Sequence, residues 1–221
     1  MSRPWSSPAP GCKAALLLAL SFGCATSPAP ARDVDVTLTR SPLRSIEIAD
    51  ALEALIAAGK ASKADRKYAY ERLRTLRSVT AEDALAHAIV AGRLAQVSGL
   101  GAPSLVAEVE RCARSSAQLD PSLRSGAARR LLGTLYVMAP AALLEHGDSE
   151  VGLELLQDVV RRFPQHAPNH LRLAEGYVTL GDPGPARPHL CYCVAQRSAL
   201  RVDENALLDE LLEQASVAQC P

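Results

Sequence analysis

His189-x-Cys191-x-Cys193 is the densest run of metal-ligand side chains in the chain, and an imidazole with two thiolates would suit zinc. The apolar spacing around it predicts a helix over 185–197. On a helix, residues two apart point about 200° apart, so the three groups cannot converge on one ion. Cys193 is therefore read as a small core residue and Cys191 as a partly exposed thiol, and neither a metal nor a cofactor is expected. The same thiols, with Cys112 and Cys220, could pair in an oxidising compartment. If a helix over 203–217 folds back on 185–197, Cys191 faces residues 209 to 211, well short of Cys220. The pairing among Cys112, Cys191, Cys193 and Cys220 is thus left open.

The five histidines are scattered. No His-Glu-x-x-His, Gly-x-Ser-x-Gly, phosphate loop or paired-carboxylate motif accompanies them, so no catalytic residue is assigned and no enzyme is expected. Charge points the same way. The 24 basic and 24 acidic residues balance, and no Lys/Arg stripe is dense enough to follow a phosphate backbone. Nucleic acid is not an expected partner.

Cys24 stands apart from the other cysteines. Arg3 and Lys13 precede the apolar run 14–22, which is about half the length needed to span a bilayer and reads as a secretory signal. The run ends in Leu20-Ser21-Phe22-Gly23-Cys24, which resembles a bacterial lipobox, the motif whose cysteine is lipidated and becomes the mature N-terminus. Ser21 stands where that pattern has leucine, and Leu20 lies one step earlier. Ordinary cleavage after Ala25 is the alternative, because Gly23-x-Ala25 also offers small residues at the needed spacing. Export follows from either. Cys12 has no apolar run before it and is read as part of the signal.

These features divide the chain into a lipoprotein signal over 1–23, a flexible tether over 24–45 and a helical domain over 46–221. Pro28, Pro30 and Pro42 oppose helix in the tether, whose extended reach of several tens of ångströms would hold a domain clear of lipid headgroups. Beyond it, apolar residues recur three and four apart between short breaker segments. Nine helices are predicted: 46–58, 63–78, 81–98, 103–118, 122–138, 149–163, 167–180, 185–197 and 203–217. Thr80 with Asp83 is expected to box the start of the third, and Asp148 to cap the sixth. Successive antiparallel hairpins bury their apolar faces by stacking, which makes the expected fold an all-α solenoid.

Arg129-x-x-Leu132-Gly133-x-x-Tyr136 and His170-x-x-Leu173-Ala174-x-x-Tyr177 share the W-x-x-L-G-x-x-Y spacing of tetratricopeptide repeats, with the tryptophan replaced in both. Gly152-x-x-x-Leu156 with Pro164, and Ala186-x-x-x-Leu190, match the second helix of that pattern. The fold class expected is a tetratricopeptide-like, right-handed solenoid of helical hairpins with a C-terminal capping helix. Tyr136 and Tyr177 lie 41 residues apart instead of about 34, so an insertion of about seven residues falls between two paired helices. It comprises much of 139–147, which is more apolar than a solvated turn should be.

The stretch Leu132–Ala186, with Leu132-Gly133, Ala139-Pro140, Gly147-Asp148, Pro164, Asn169-His170-Leu171, Leu173-Ala174 and Gly181, resembles the tetratricopeptide lipoproteins that serve as the T component of certain TRAP transporters. That resemblance covers about a third of the mature chain and implies a periplasmic protein with cryptic repeats and an apolar cleft or pore, working beside a solute-binding protein. The lipidation site is Cys24, and Tyr136, Leu143, Leu144, Asn169 and Tyr177 are the candidate contacts. Tyr136 and Tyr177 have a packing role as their plainer reading, Asn169 a helix-capping one, whereas Leu143 and Leu144 must bury either on the solenoid or on a partner. The expected function is a lipid-anchored, periplasm-facing binding protein of the outer membrane, with a protein partner and an apolar small molecule as ligand classes and a homo-oligomer open. The alternative is an assembly scaffold for outer-membrane or surface machinery. A transporter component should leave an apolar cavity near Leu143, whereas a scaffold should present a closed polar inner face.

Overall fold

The computed structural model describes residues 34–40, 43–99, 102–217 and 219–220, all within the compact unit Arg32–Pro221. Cys24 and the expected signal over 1–23 lie outside the described residues. Those described form ten α-helices and no strand: α1 Val36–Thr39, α2 Ser45–Ala57, α3 Lys63–Arg74, α4 Ala81–Ala95, α5 Ala102–Leu119, α6 Leu123–Met138, α7 Ser149–Arg162, α8 Ala167–Thr179, α9 Ala186–Ala195 and α10 Val202–Gln214. The nine expected helices are α2 to α10, most of them ending a few residues early. None is long and apolar enough to cross a membrane.

Local chemistry sets the helix starts. The Thr80 hydroxyl accepts from the Asp83 amide while the Asp83 carboxylate accepts from the Thr80 amide, satisfying two otherwise unpaired donors. Ser62 and Asp65 repeat the device at α3, and Asp148 accepts from the Glu150 and Val151 amides at α7. α6 departs from expectation at its start. Arg124, Ser125 and Gly126 are left-handed (φ 48°, 56° and 77°), so the regular helix begins only after them.

The expected tether is already part of the fold by residue 34. Leu38 on α1 is fully buried among Ile48, Leu52, Leu73 and Leu85, and the Asp35 amide donates to Asp65 at 2.7 Å. Pro28, Pro30 and Pro42 lie outside the described residues, but at Leu38 a single leucine with a place in the core outweighs the surrounding polarity.

Each odd-numbered helix from α3 to α9 packs against the even-numbered one that follows or precedes it, and the even-numbered helices form a closed circuit of contacts: α2 with α4, α4 with α6, α6 with α8, α8 with α10, and α10 back with α2. The α6/α7 hairpin shows how the sequence permits such close packing. A methyl group added at Gly133 would lie 2.8 Å from the Gly152 carbonyl oxygen, and one at Gly152 would lie 2.8 Å from that of Gly133, so the two backbones nearly touch. Leu156, 1% exposed, fills the groove one turn on and packs with Val137 and Leu173.

Candidate functional site

The circuit of even-numbered helices gathers charged groups from distant parts of the chain. Glu53 on α2 accepts two hydrogen bonds from Arg93 on α4, at 2.5 and 2.7 Å, and one at 2.6 Å from Arg201 at the start of α10. Arg201 also grips Asp203 through Nε and Nη2 at 3.1 and 3.0 Å. Burial works to raise the Glu53 carboxyl, but the two guanidiniums outweigh it and hold it below the usual carboxylate range. Glu53 and Arg93 keep only 15% and 18% of their side-chain area exposed, so this pair operates largely out of water.

A second group lies between α6 and α8. Arg130 Nη1 donates to Asn169 Oδ1 at 2.6 Å, and Asn169 Nδ2 donates to the Ser125 carbonyl at 3.2 Å. Arg172, half-buried one turn along α8, donates to Glu175 at 2.8 Å. Arg130 differs from its neighbours because it has no carboxylate partner among the described residues. Burial first, then repulsion from Arg172 and Arg201 set against attraction from Glu204, pulls its guanidinium down to about 10. His166 at the α8 N-terminus is pushed down by burial and by Arg130. It lines a concavity of about 350 Å³ with Ser125, Phe163, Pro164 and Gln165.

No family model matches this chain, nor does any curated protein.

The residues singled out in the sequence are held largely by contacts within the fold. Asn169 is completely buried and does not cap α8, whose preceding residue is His166. It links Arg130 to the Ser125 carbonyl, a tertiary role that no local pattern displays. Tyr136 is 3% exposed and donates to Glu110, while the hydroxyl of half-buried Tyr177 accepts from Gln157 Nε2. Leu143 and Leu144 are half-buried around the 3₁₀ turn Ala141–Leu143.

The inserted loop is fastened to its own fold. Glu110 on α5 accepts from the Glu145 and His146 amides at 2.9 and 2.8 Å and from Tyr136 at 2.8 Å. Burial alone would raise this carboxyl; the three donors hold it low. Leu144 packs on the cluster of Ala88, Cys112, Ala113, Leu132 and Tyr136. An apolar loop needs burial, and here its own α5 and α6 supply it. Neither the concavity at His166 nor one of about 390 Å³ along α7 is lined by Leu143 or Leu144.

The His-x-Cys-x-Cys run also resolves into packing. Cys193 is fully buried against the Ala167 carbonyl. His189 Nδ1 lies 3.0 Å from His170 Nδ1, and His170 stacks on Tyr192. Cys191 is not a free thiol, because it is bonded to Cys220 with their Cα atoms 5.3 Å apart. The fold-back expectation held α10 as a rod facing α9. The chain turns after Gln214, and Arg187 donates to the Gln219 carbonyl, which brings the tail back to α9.

The sequence reading missed Glu53, Arg93, Arg130, Arg172 and Arg201 as one face. Each sits singly in its helix like an ordinary solvated charge. Their grouping depends on pairings such as Glu53 with Arg201, 148 residues apart.

Proposed function

We propose that this chain is an exported, lipid-anchored binding protein whose tetratricopeptide-like hairpins hold a partner while catalysing nothing. The observation that carries a binding role is the inner face, where α2, α4, α6, α8 and the start of α10 converge and one guanidinium, that of Arg130, has no carboxylate bonded to it among the described residues. Gly133 against Gly152, with Leu156 in the groove, supports the repeat register. The Cys191–Cys220 bridge supports an oxidising compartment, and with it the export reading of residues 1–24.

Two partners fit this reading. Likeness in the Leu132–Ala186 stretch favours the T component of a TRAP-type uptake system, facing the periplasm beside a solute-binding protein. The polar inner face, closed by Arg201 on Glu53, favours an assembly scaffold for outer-membrane or surface machinery. Mass spectrometry of what copurifies with the detergent-extracted chain separates the two: a solute-binding protein or permease supports the first, and envelope-assembly subunits the second. Anchoring is tested by Cys24→Ser, which should release the protein from membranes. A variant that stays membrane-bound would overturn the lipid anchor.

A further inference from the structure

Arg130 uses one of its five N–H groups on a neutral oxygen, the Asn169 side-chain carbonyl, and makes no other hydrogen bond or ion pair among the described residues. Every neighbouring arginine on this face has a carboxylate: Arg93 has Glu53, Arg201 has Glu53 and Asp203, and Arg172 has Glu175. A half-buried guanidinium held among like charges is costly, and burial and Arg172 both act against it. Yet the chain holds it in one pose. Asn169, completely buried, is tied to the Ser125 carbonyl, and that carbonyl belongs to a left-handed turn in which Arg124 and Ser125 adopt a backbone few side chains tolerate. Strain of this kind persists where the surroundings enforce it, and here its result is to aim an amide oxygen at Arg130.

We propose that Arg130, steered by Asn169 and flanked by Arg172, is a binding site for a carboxylate monoanion. A carboxylate matches the guanidinium fork, whose remaining N–H groups have no partner among the described residues, and can accept two parallel hydrogen bonds from it. A dianion fits less well. Glu204, itself bonded to the Arg201 backbone, acts on Arg130 from α10 and would repel a second negative charge. The carboxylate has two sources, a free organic acid or the C-terminal carboxylate of a protein partner. This site rests on the binding reading given above but not on lipid anchoring.

Ligand-observed NMR titration of the full chain in detergent tests it, with sodium acetate, the tripeptide Ala-Ala-Ala and its C-terminal amide as probes at constant ionic strength. Saturable binding of acetate or the tripeptide acid is expected, weakened at least tenfold by Arg130→Gln, with the amide not binding. Acetate as tight as the tripeptide acid points to a free acid; a tighter tripeptide acid points to a chain end. Should Arg130→Gln fail to fold, Arg130→Lys keeps the charge without the fork and is expected to lose most of the affinity. Three results would overturn the site: no saturable binding of either acid to the native chain, an Arg130 variant that binds as the native chain does, or an amide that binds as well as the acid. Inorganic phosphate binding tighter than both acids would overturn the monoanion. Copurification without a partner would sink the scaffold and transporter readings while leaving these titrations intact.

Discussion

At the scale of single residues, two small side chains carry opposite consequences. Gly133 has no room for a methyl group, because its β-carbon would sit 2.7 Å from Leu156 and 2.8 Å from the Gly152 oxygen. Neither the backbone nor the fully packed leucine can yield cheaply. Gly133→Ala is expected to cost about 1–3 kcal/mol in urea unfolding, the ordinary range for overpacking. Ser125 is the reverse case. Its left-handed backbone (φ 56°) costs about 1–2 kcal/mol with a β-carbon present, and glycine removes most of that while adding unfolded-state entropy. Ser125→Gly should stabilise the protein by about 0.5–1 kcal/mol, since the bond to Asn169 uses the backbone oxygen and survives the change. An unchanged or lower unfolding midpoint would mean that the serine side chain itself is needed.

At the scale of elements, the α8/α9 contact depends on protonation. His170 Nε2 lies 2.8 Å from the Pro164 carbonyl, an acceptor, so His170 donates there and its Nδ1 is left to accept from His189. A second proton on His170 would set two donors against each other. Burial pushes His166, His170 and His189 below the ordinary imidazole value, and Arg130 adds to the effect on His166. The unfolded chain therefore takes up protons that the folded chain resists. Stability is full above pH 6.5 and falls as pH drops below it. Melting temperatures between pH 7.5 and 5 should decline, and His170→Gln should flatten the slope. The lowered carboxylates, such as Glu53 and Glu110, add their own loss only at more acidic pH.

The Cys191–Cys220 bridge also belongs to this scale. It closes a separation of 29 residues that contains α10. Reduction, or Cys191→Ser with Cys220→Ser, should cost roughly 2–4 kcal/mol through the entropy restored to the unfolded chain. Melts with and without dithiothreitol measure it. Equal midpoints would show that the tail is not held by this bond in solution.

For the whole molecule, Glu53 is the tie between its two ends. It joins α2 and α4 to α10, and removing it would leave Arg93 facing Arg201 with one fewer carboxylate between them. Glu53→Ala should cost about 2–4 kcal/mol, as removal of one member of a largely buried pair does. Arg44→Ala, which removes an ion pair with Glu47 at 2.9 Å but at 70% exposure, should leave the unfolding midpoint nearly unchanged. Burial, and not distance, separates the two outcomes. Chemical denaturation of both variants decides it, and equal losses would contradict the role given to the inner face.

Replacing Leu143 and Leu144 together by Ser tests the inserted loop at the same scale. Leu144 rests on Ala88, Leu132 and Tyr136, and the loop backbone is held by Glu110, so lost stability is the expected outcome. Weakened partner binding in a variant with an unchanged melt would return the loop to the functional site.

The sequence by itself determined the helices, because apolar spacing, capping pairs such as Thr80 with Asp83 and breakers such as Gly59 and Gly181 act over a turn or two of chain. It also marked Gly133 and Gly152 as positions where another backbone can come close, since neither carries a β-carbon. Three matters were decided only by the tertiary structure. Leu38 belongs to the core because a pocket among α2, α3 and α4 exists for it. Cys220 reaches Cys191 because the chain bends after α10. Arg130 is deprived of a carboxylate because Glu53, Asp203 and Glu175 are claimed by other arginines once the helices close their circuit. The reason is common to all three. Periodicity and capping are short-range properties written into neighbouring residues, whereas the partner of a charge, a thiol or a lone leucine is fixed by which distant helices pack together.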